Sequence, residues 1–360
     1  MSALDRDRIE VFKRLSEAFG PSGFESEVAR IVQEEYGQNA DEILYDGLGS
    51  IILKKQGRET GPRVLLAGHM DEIGFIVKGI TDKGYLAFET LGGWATTTLP
   101  AQRVIVRAKT GDHVGVLISK PPHLLPPEER DKPLKIKDLY IDVGATSRDE
   151  VKEMGIRIGD PVAPLAEFVE LRGGEVWLGK AFDDRIGVFI AMEVLKSLEG
   201  DHSNTVFAAG TVQEEVGLRG AETTADVVNP DVAIVCEVDI AGDVPGVTER
   251  EAPAKMGKGV SIITWDKTMI PNQALKELVI SVAEEEGIPY QLSAVSGGTD
   301  GHRIHLHYKG VPTIVISVPT RHIHSHSSML MPKDVEAAIR LISEVVKRLD
   351  AETVKGLTRP

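Results

Sequence analysis

Thr205-Val206-Phe207-Ala208-Ala209-Gly210-Thr211-Val212-Gln213-Glu214-Glu215-Val216-Gly217 is the stretch on which the reading of this chain turns. It starts with an apolar run of the kind that forms a strand buried on both faces. Two adjacent carboxylates follow at once. Neighbouring residues in extended backbone point in different directions, so one carboxylate can bind a metal ion while the other faces a substrate as general base. A solvated turn would carry the same two residues, so what ends the other strands decides the matter.

The placement recurs. An apolar run at 63–67 delivers His69 and Asp71, one at 232–236 delivers Glu237, and one at 311–318 precedes His324. Asp183 and Asp184 open an apolar helical segment at 184–198. In open α/β sheets sites form at the carboxyl ends of the strands, so residues spread from 69 to 324 can share one pocket. Each residue also has a plainer reading. His69 alone could be structural, although Asp71 two residues on can orient its imidazole. Asp183 and Asp184 could be helix N-caps. His322, His324 and His326 could form a surface cluster, and His302, His305 and His307 read as structural or pocket-lining. Cys236 alternates away from Glu237 and reads as packing. Taken together, so many polar groups at strand ends indicate a dinuclear metal hydrolase.

The rest of the chain supplies an α/β frame. Helical periodicity runs over 5–19, and Ser22-Gly23-Phe24-Glu25 matches a capping box opening a second helix through Tyr36. Strands are expected at 42–46, 50–54 and 63–67. Residues 73–167 change texture to short strands at 74–80, 85–89, 103–108 and 114–119 separated by turns. Within them, 121–133 holds five prolines and reads as an exposed loop. Helices at 184–198, 272–286 and 333–349 then alternate with strands. We expect a catalytic unit built from 1–72 and 168–360, split by a β-rich insertion at 73–167.

Composition limits the function. The 360 residues carry a formal charge of −14, which argues against nucleic acid and anionic membranes as partners. No apolar run approaches the ~20 residues needed to span a bilayer. The first eight residues lack an apolar leader core, and Cys236 is the one cysteine, so a reducing cytoplasmic setting is expected.

The order of the residues, His-x-Asp, Asp-Asp, Glu-Glu, a further acid and a late His, is that of co-catalytic zinc peptidases. With Gly68-His69-Met70-Asp71-Glu72-Ile73-Gly74, Leu99-Pro100-Ala101-Gln102, Lys120-Pro121-Pro122-His123, 182–185, 213–217, Gly297-Gly298-Thr299-Asp300 and 321–325, the chain resembles the cellulase-M/glutamyl-aminopeptidase family of dinuclear metallo-aminopeptidases. The likeness runs from about residue 8 to residue 349. It implies a mixed-sheet α/β/α zinc-peptidase domain, a barrel-like dimerisation insertion, and assembly of dimers into a tetrahedral dodecamer. It implies two divalent ions per subunit, Zn2+ first and Co2+ or Mn2+ as substitutes. His69, Asp183 and Glu237 would hold one ion, and Asp183, Glu215 and His324 the other. Glu214 would be the general base acting on a water between the ions, and Asp71 the support of His69. A cis peptide is expected between Asp183 and Asp184. The family generally has Asp where Glu237 stands, and the longer side chain bears on that ion's seat. The expected reaction is removal of N-terminal residues from peptides.

Rival readings are a carboxypeptidase or deacylase on the same scaffold, an endoglucanase, and a non-catalytic metal-binding protein. An endoglucanase would leave the histidines idle, and 5% aromatics offers few sugar-stacking platforms.

Overall fold

Two amphipathic helices, α1 (Arg6–Glu17) and α2 (Ser26–Tyr36), lead into strands β1 (Glu42–Tyr45), β2 (Ile51–Gln56) and β3 (Arg63–His69). This is a computed structural model that describes residues 4–58, 61–126, 133–200 and 202–358. Next come β4 (Gly74–Ile80), β5 (Leu86–Leu91), β6 (Arg103–Ala108), β7 (Gly111–Ser119), β8 (Leu139–Asp142), the short helix α3 (Arg148–Glu153) and β9 (Pro161–Pro164). After β10 (Val169–Leu171) and β11 (Val176–Gly179) the chain continues through α4 (Phe182–Ser197), β12 (Thr205–Thr211), α5 (Arg219–Val228) and β13 (Val232–Ile240). It ends with β14 (Val260–Trp265), α6 (Gln273–Glu285), β15 (Tyr290–Ala294), α7 (Gly301–Ile304), β16 (Thr313–Thr320), β17 (Ser328–Leu330), α8 (Pro332–Arg348) and α9 (Ala351–Gly356).

Eight strands form one mixed sheet in the order β1-β2-β12-β3-β13-β16-β14-β15. The central four, β12, β3, β13 and β16, run parallel. Their apolar residues alternate between two cores, as strands covered on both faces require. Val232, Ile234 and Cys236 of β13 join one core, with Phe12, Val28 and Phe189 from α1, α2 and α4. Ala233 and Val235 join the other, with Ala221 and Ala225 of α5 and Ile304 of α7. Helix α4 is buried nearly all round and lies against β3, β13, β12 and α8. A Cβ on Gly68 would come within 2.4 Å of the Gly187 carbonyl carbon, so these glycines let β3 touch the first turn of α4.

The strands between β3 and β10 form a sheet of their own. Strands β4-β5-β8-β7-β6-β9 close into an antiparallel barrel around Phe75, Val77, Phe88, Val104, Leu117 and Val162. The expected barrel-like element is therefore present, with strands drawn from 74–164. Residues 122–124 form one short turn, and the 127–132 part of the expected proline-rich loop lies outside the described residues.

The capping box is a correction. Helix α2 begins at Ser26, its cap residue Glu25 makes no side-chain capping bond, and Ser22 is spent elsewhere. The Ser22 hydroxyl donates to Asp71 Oδ2 at 2.6 Å, and Ser22 stands too far ahead of the first helical residue, Ser26, to cap it. Strands β14 and β15 and helix α5 were not read from sequence. No helix among the described residues is long and apolar enough to cross a membrane.

Candidate active site

Register brings the site together. Thr211 pairs with His69 across β12 and β3, and Val235 pairs with Ala67 across β13 and β3. His69 and Glu237, each two residues further on, therefore reach one level at the carboxyl edge. Asp183 arrives on the first turn of α4, after Ala181 in left-handed backbone and with a cis Asp183–Asp184 peptide. His324 comes from the turn linking β16 to β17, where His322 and His324 both have positive φ.

Asp183 sits between the two imidazoles. Its Oδ1 lies 3.1 Å from His69 Nε2, and its Oδ2 lies 3.4 Å from His324 Nε2. Glu237 Oε1 and Glu214 Oε2 are each 3.8 Å from His69 Nε2, and Glu215 Oε1 is 3.3 Å from His324 Nε2. The outer nitrogens are fixed by main-chain carbonyls. His69 Nδ1 lies 3.0 Å from Asp71 O, and His324 Nδ1 lies 2.8 Å from Gly93 O. A carbonyl can only accept, so each Nδ1 carries hydrogen and each Nε2 is turned toward the carboxylates.

The expected role of Asp71 is thereby refined. Its main-chain oxygen is the closer partner of His69, and its carboxylate, 3.4 Å from Nδ1, also binds the Glu214–Glu215 turn. Asp184, adjacent to the expected ligand, accepts from the main-chain N–H groups of His69 at 3.1 Å and Gly187 at 2.9 Å. Ser22, Asp184 and Asp300 were singled out in the sequence without a role in the site; the Asp300 carboxylate accepts from the Thr211 hydroxyl, and Ser22 donates to Asp71. Sequence reasoning missed the Gly92–Gly93 turn of the barrel. His302, His305 and His307 lie outside the cluster and hydrogen-bond Thr268 O, Gly301 O and Asn229 Oδ1, in line with the structural reading. Cys236 is buried in the core opposite Glu237.

Charge in this pocket is unbalanced toward the negative. Burial raises Glu237 well above the ordinary carboxylate range, and Asp184 and Asp183 add to it. Burial also raises Glu214 and Glu215. Burial alone would lower the imidazoles, but neighbouring carboxylates outweigh it. His69 is raised well above its usual value, and Asp183 and Glu215 push His324 up to about 11. Glu215 Oε1 is buried without a well-formed hydrogen bond. Ligand atoms of Asp183, Glu215 and His324 lie within 4.8 Å of one another, as do those of His69, Asp184 and Glu237, and of His69, Glu214 and Glu215. A carboxylate excess with an orphaned oxygen and imidazoles turned inward is a donor set suited to divalent cations.

Beside the cluster, Leu218, Ile240, Val295 and Ile323 line a cavity of about 600 Å³. The M42 glutamyl aminopeptidase profile matches residues 49–341. A TET aminopeptidase from a marine sediment archaeon, Thaumarchaeota archaeon SCGC AB-539-E09, is 54% identical with a TM-score of 0.96 over 98% of this chain and 99% of that one. The Pyrococcus horikoshii TET1 peptidase, which can assemble into a tetrahedron or a large octahedral shell, is 32% identical with a TM-score of 0.84 over 95% and 100%. The lysyl aminopeptidase of Pyrococcus furiosus is 33% identical over 94% of this chain and 97% of its own length. The chain is thus a member of the M42 glutamyl aminopeptidase family, a metal-dependent aminopeptidase.

Proposed function

We propose that two ions occupy the cluster, one held by His69, Asp183 and Glu237 and the other by Asp183, Glu215 and His324. The observation that carries this reading is Asp183, whose two oxygens face the Nε2 atoms of two histidines. Two imidazoles with carboxylates and no thiolate suit Zn2+, and Co2+ or Mn2+ fits the same donors. When bound, the ions supply Lewis acidity toward the scissile carbonyl and acidify water.

The remaining chemistry belongs to side chains. Glu214 takes a proton from the attacking water and returns it to the leaving amine, a role its carboxylate's place on the cavity wall beside His69 suits. Asp71 holds the Glu214–Glu215 turn and the His69 ring in register. The carboxylates next to the cavity attract a free α-amine, which makes the reaction an exopeptidase one, while the aliphatic wall receives the first side chain. The assembly is a homo-oligomer, a tetrahedral dodecamer built from dimers that join through the insertion at 73–167, on the likeness to TET peptidases. Catalytic segments 1–72 and 168–360 complete each subunit, and the cytoplasm is its expected location.

The test is an assay of ion-loaded protein on aminoacyl-p-nitroanilides, their N-acetylated forms and carboxymethylcellulose. Cleavage of free-amine substrates only, reduced about 10²–10⁴-fold in Glu214→Gln with ions still bound, supports the reading. Cleavage of blocked substrates would move the enzyme to the deacylase class.

A further inference from the structure

The second ion's proposed ligands, Glu215 and His324, are touched from an unexpected side. The barrel strand β5 ends at Leu91, and the turn after it, Gly92-Gly93-Trp94, reaches the catalytic cluster. Gly93 accepts the Nδ1–H of His324 at 2.8 Å through its carbonyl. A Cβ on Gly93 would lie 3.1 Å from that same nitrogen and 3.4 Å from Cε1, so the glycine backbone is pressed against the imidazole ring. Gly92, at φ +82°, leaves equally little room, since its Cβ would fall 2.9 Å from Glu215 Oε2. The turn is anchored in turn by Trp94. Its Nε1–H donates to Gly74 O at 3.1 Å, its ring stacks on Phe75 at 4.9 Å, and it meets His326 at 5.3 Å. His324 itself stands in left-handed backbone in the loop that links β16 to β17, a conformation that persists where surrounding structure fixes it.

We propose that the Gly92–Gly93 turn of the barrel is a positioning element for the second ion, setting the tautomer and place of His324 and confining Glu215. This rests on the ligand assignment proposed above. The proposed ligands of both ions come from the catalytic unit, but the carbonyl that orients His69 belongs to that unit, at Asp71, whereas the one that orients His324 belongs to the barrel. Occupancy of the second site is therefore coupled to how the barrel sits on the catalytic unit. Groups that orient metal-binding histidines typically change metal affinity 10–100-fold when altered, which sets the size of the expected effect.

Gly93→Ala is the direct probe, because Gly93 is not held at a positive φ and an added methyl is opposed chiefly by His324. Gly79→Ala in the same barrel, where the nearest atom to a new Cβ is 3.8 Å away, is the control. Zn2+ binding is measured by calorimetry and elemental analysis on full-length wild type, Gly93→Ala, Gly79→Ala and His324→Ala. We expect wild type and Gly79→Ala to bind two ions. In Gly93→Ala the ion that His324→Ala loses should bind about 10–100-fold less tightly, the other as before, with the unfolding midpoint of the ion-free protein unchanged. Excess Zn2+ should restore its activity. Tight binding of both ions by Gly93→Ala would overturn the proposal while leaving the ligand assignment intact. One ion in wild type, or two tightly bound ions in His324→Ala, would overturn the assignment itself. Should Gly93→Ala fail to fold, Trp94→Ala releases the same turn without pressing on the ring and should lose the same ion. Independently of any variant, neutron diffraction on ion-loaded wild type should find hydrogen on His324 Nδ1, and hydrogen on Nε2 would refute the proposal.

Discussion

Asp71 Oδ1 accepts the main-chain N–H of Glu214 at 2.9 Å, and its other oxygen accepts that of Glu215 at 3.1 Å. The residue two positions after the first histidine thus fixes the turn that presents Glu214, the proposed general base. Asn at this position keeps one acceptor and turns an N–H group toward a main-chain N–H. We expect Asp71→Asn to lower kcat about 10–100-fold with ion content unchanged, read by steady-state kinetics beside elemental analysis. Ser22→Ala, which removes one hydroxyl from the same carboxylate, should follow with a smaller loss.

Removing the ions should change stability as well as activity. Chelation should abolish hydrolysis and lower the thermal midpoint, since the ions bind only the folded chain. The ion-free protein should also acquire a pH dependence. Glu214, Glu215 and Glu237 are raised by burial, and His69 and His324 are raised by their carboxylate neighbours. A raised folded pKa stabilises below the unfolded pKa and is lost as pH rises through the folded value. Ion-free protein should therefore be more stable at mildly acidic than at alkaline pH, and reloading with ions should flatten that slope. Denaturant midpoints across pH check it.

Glu25 offers a separate pH test away from the ligands. Its carboxyl accepts the N–H groups of Gly23 at 2.7 Å and Gln213 at 3.0 Å, and burial, reinforced by Asp71, raises it to about 7. Wild type should lose stability on the order of 3 kcal/mol as pH rises from the ordinary glutamate range through about 7. Glu25→Gln keeps an acceptor oxygen and should remove that component, as urea titrations would show.

Lys180 tests the buried support beneath the site. Its ammonium pairs with Glu72 at 2.6 Å and donates to Ala18 O at 3.0 Å, while Arg185 lies 3.5 Å from the same carboxylate. All three side chains are at most 3% exposed. Lys180→Met leaves a buried carboxylate short of a partner, so a loss of about 3–5 kcal/mol is expected in chemical unfolding. A loss under about 1 kcal/mol would show that Arg185 alone satisfies Glu72.

The helix expected to open with Ser22 shows where local signals fail. Ser22 and Glu25 have the capping-box spacing, but each finds a tertiary partner, Asp71 and the main chain at Gln213. The helix starts only at Ser26, and only the folded chain brings the Asp71 carboxylate to the Ser22 hydroxyl. Strand β15 was invisible for a related reason: it lies at the sheet edge, with polar Gln291 and Ser293 set among its apolar residues. Helix α5 begins Arg219-Gly220, a poor helix start that its packing against β12 overrides.

His69, Asp183, Glu214, Glu215, Glu237 and His324 could be read from sequence because each stands at the end of an apolar run or at the head of an apolar helix. Burial of a parallel sheet on both faces demands such runs, and their ends are where polar groups must emerge. The α/β frame and the β-rich insertion followed from the same periodicities. Tertiary structure alone decided which side of each carboxylate meets which histidine, that Asp71 ties the first histidine to the Glu214–Glu215 turn, and that the barrel's Gly92–Gly93 turn closes on His324. The last two of those relations run through main-chain atoms and join residues up to 231 positions apart. Every residue type but proline carries the same main-chain donor and acceptor, so composition and spacing hold no record of such contacts.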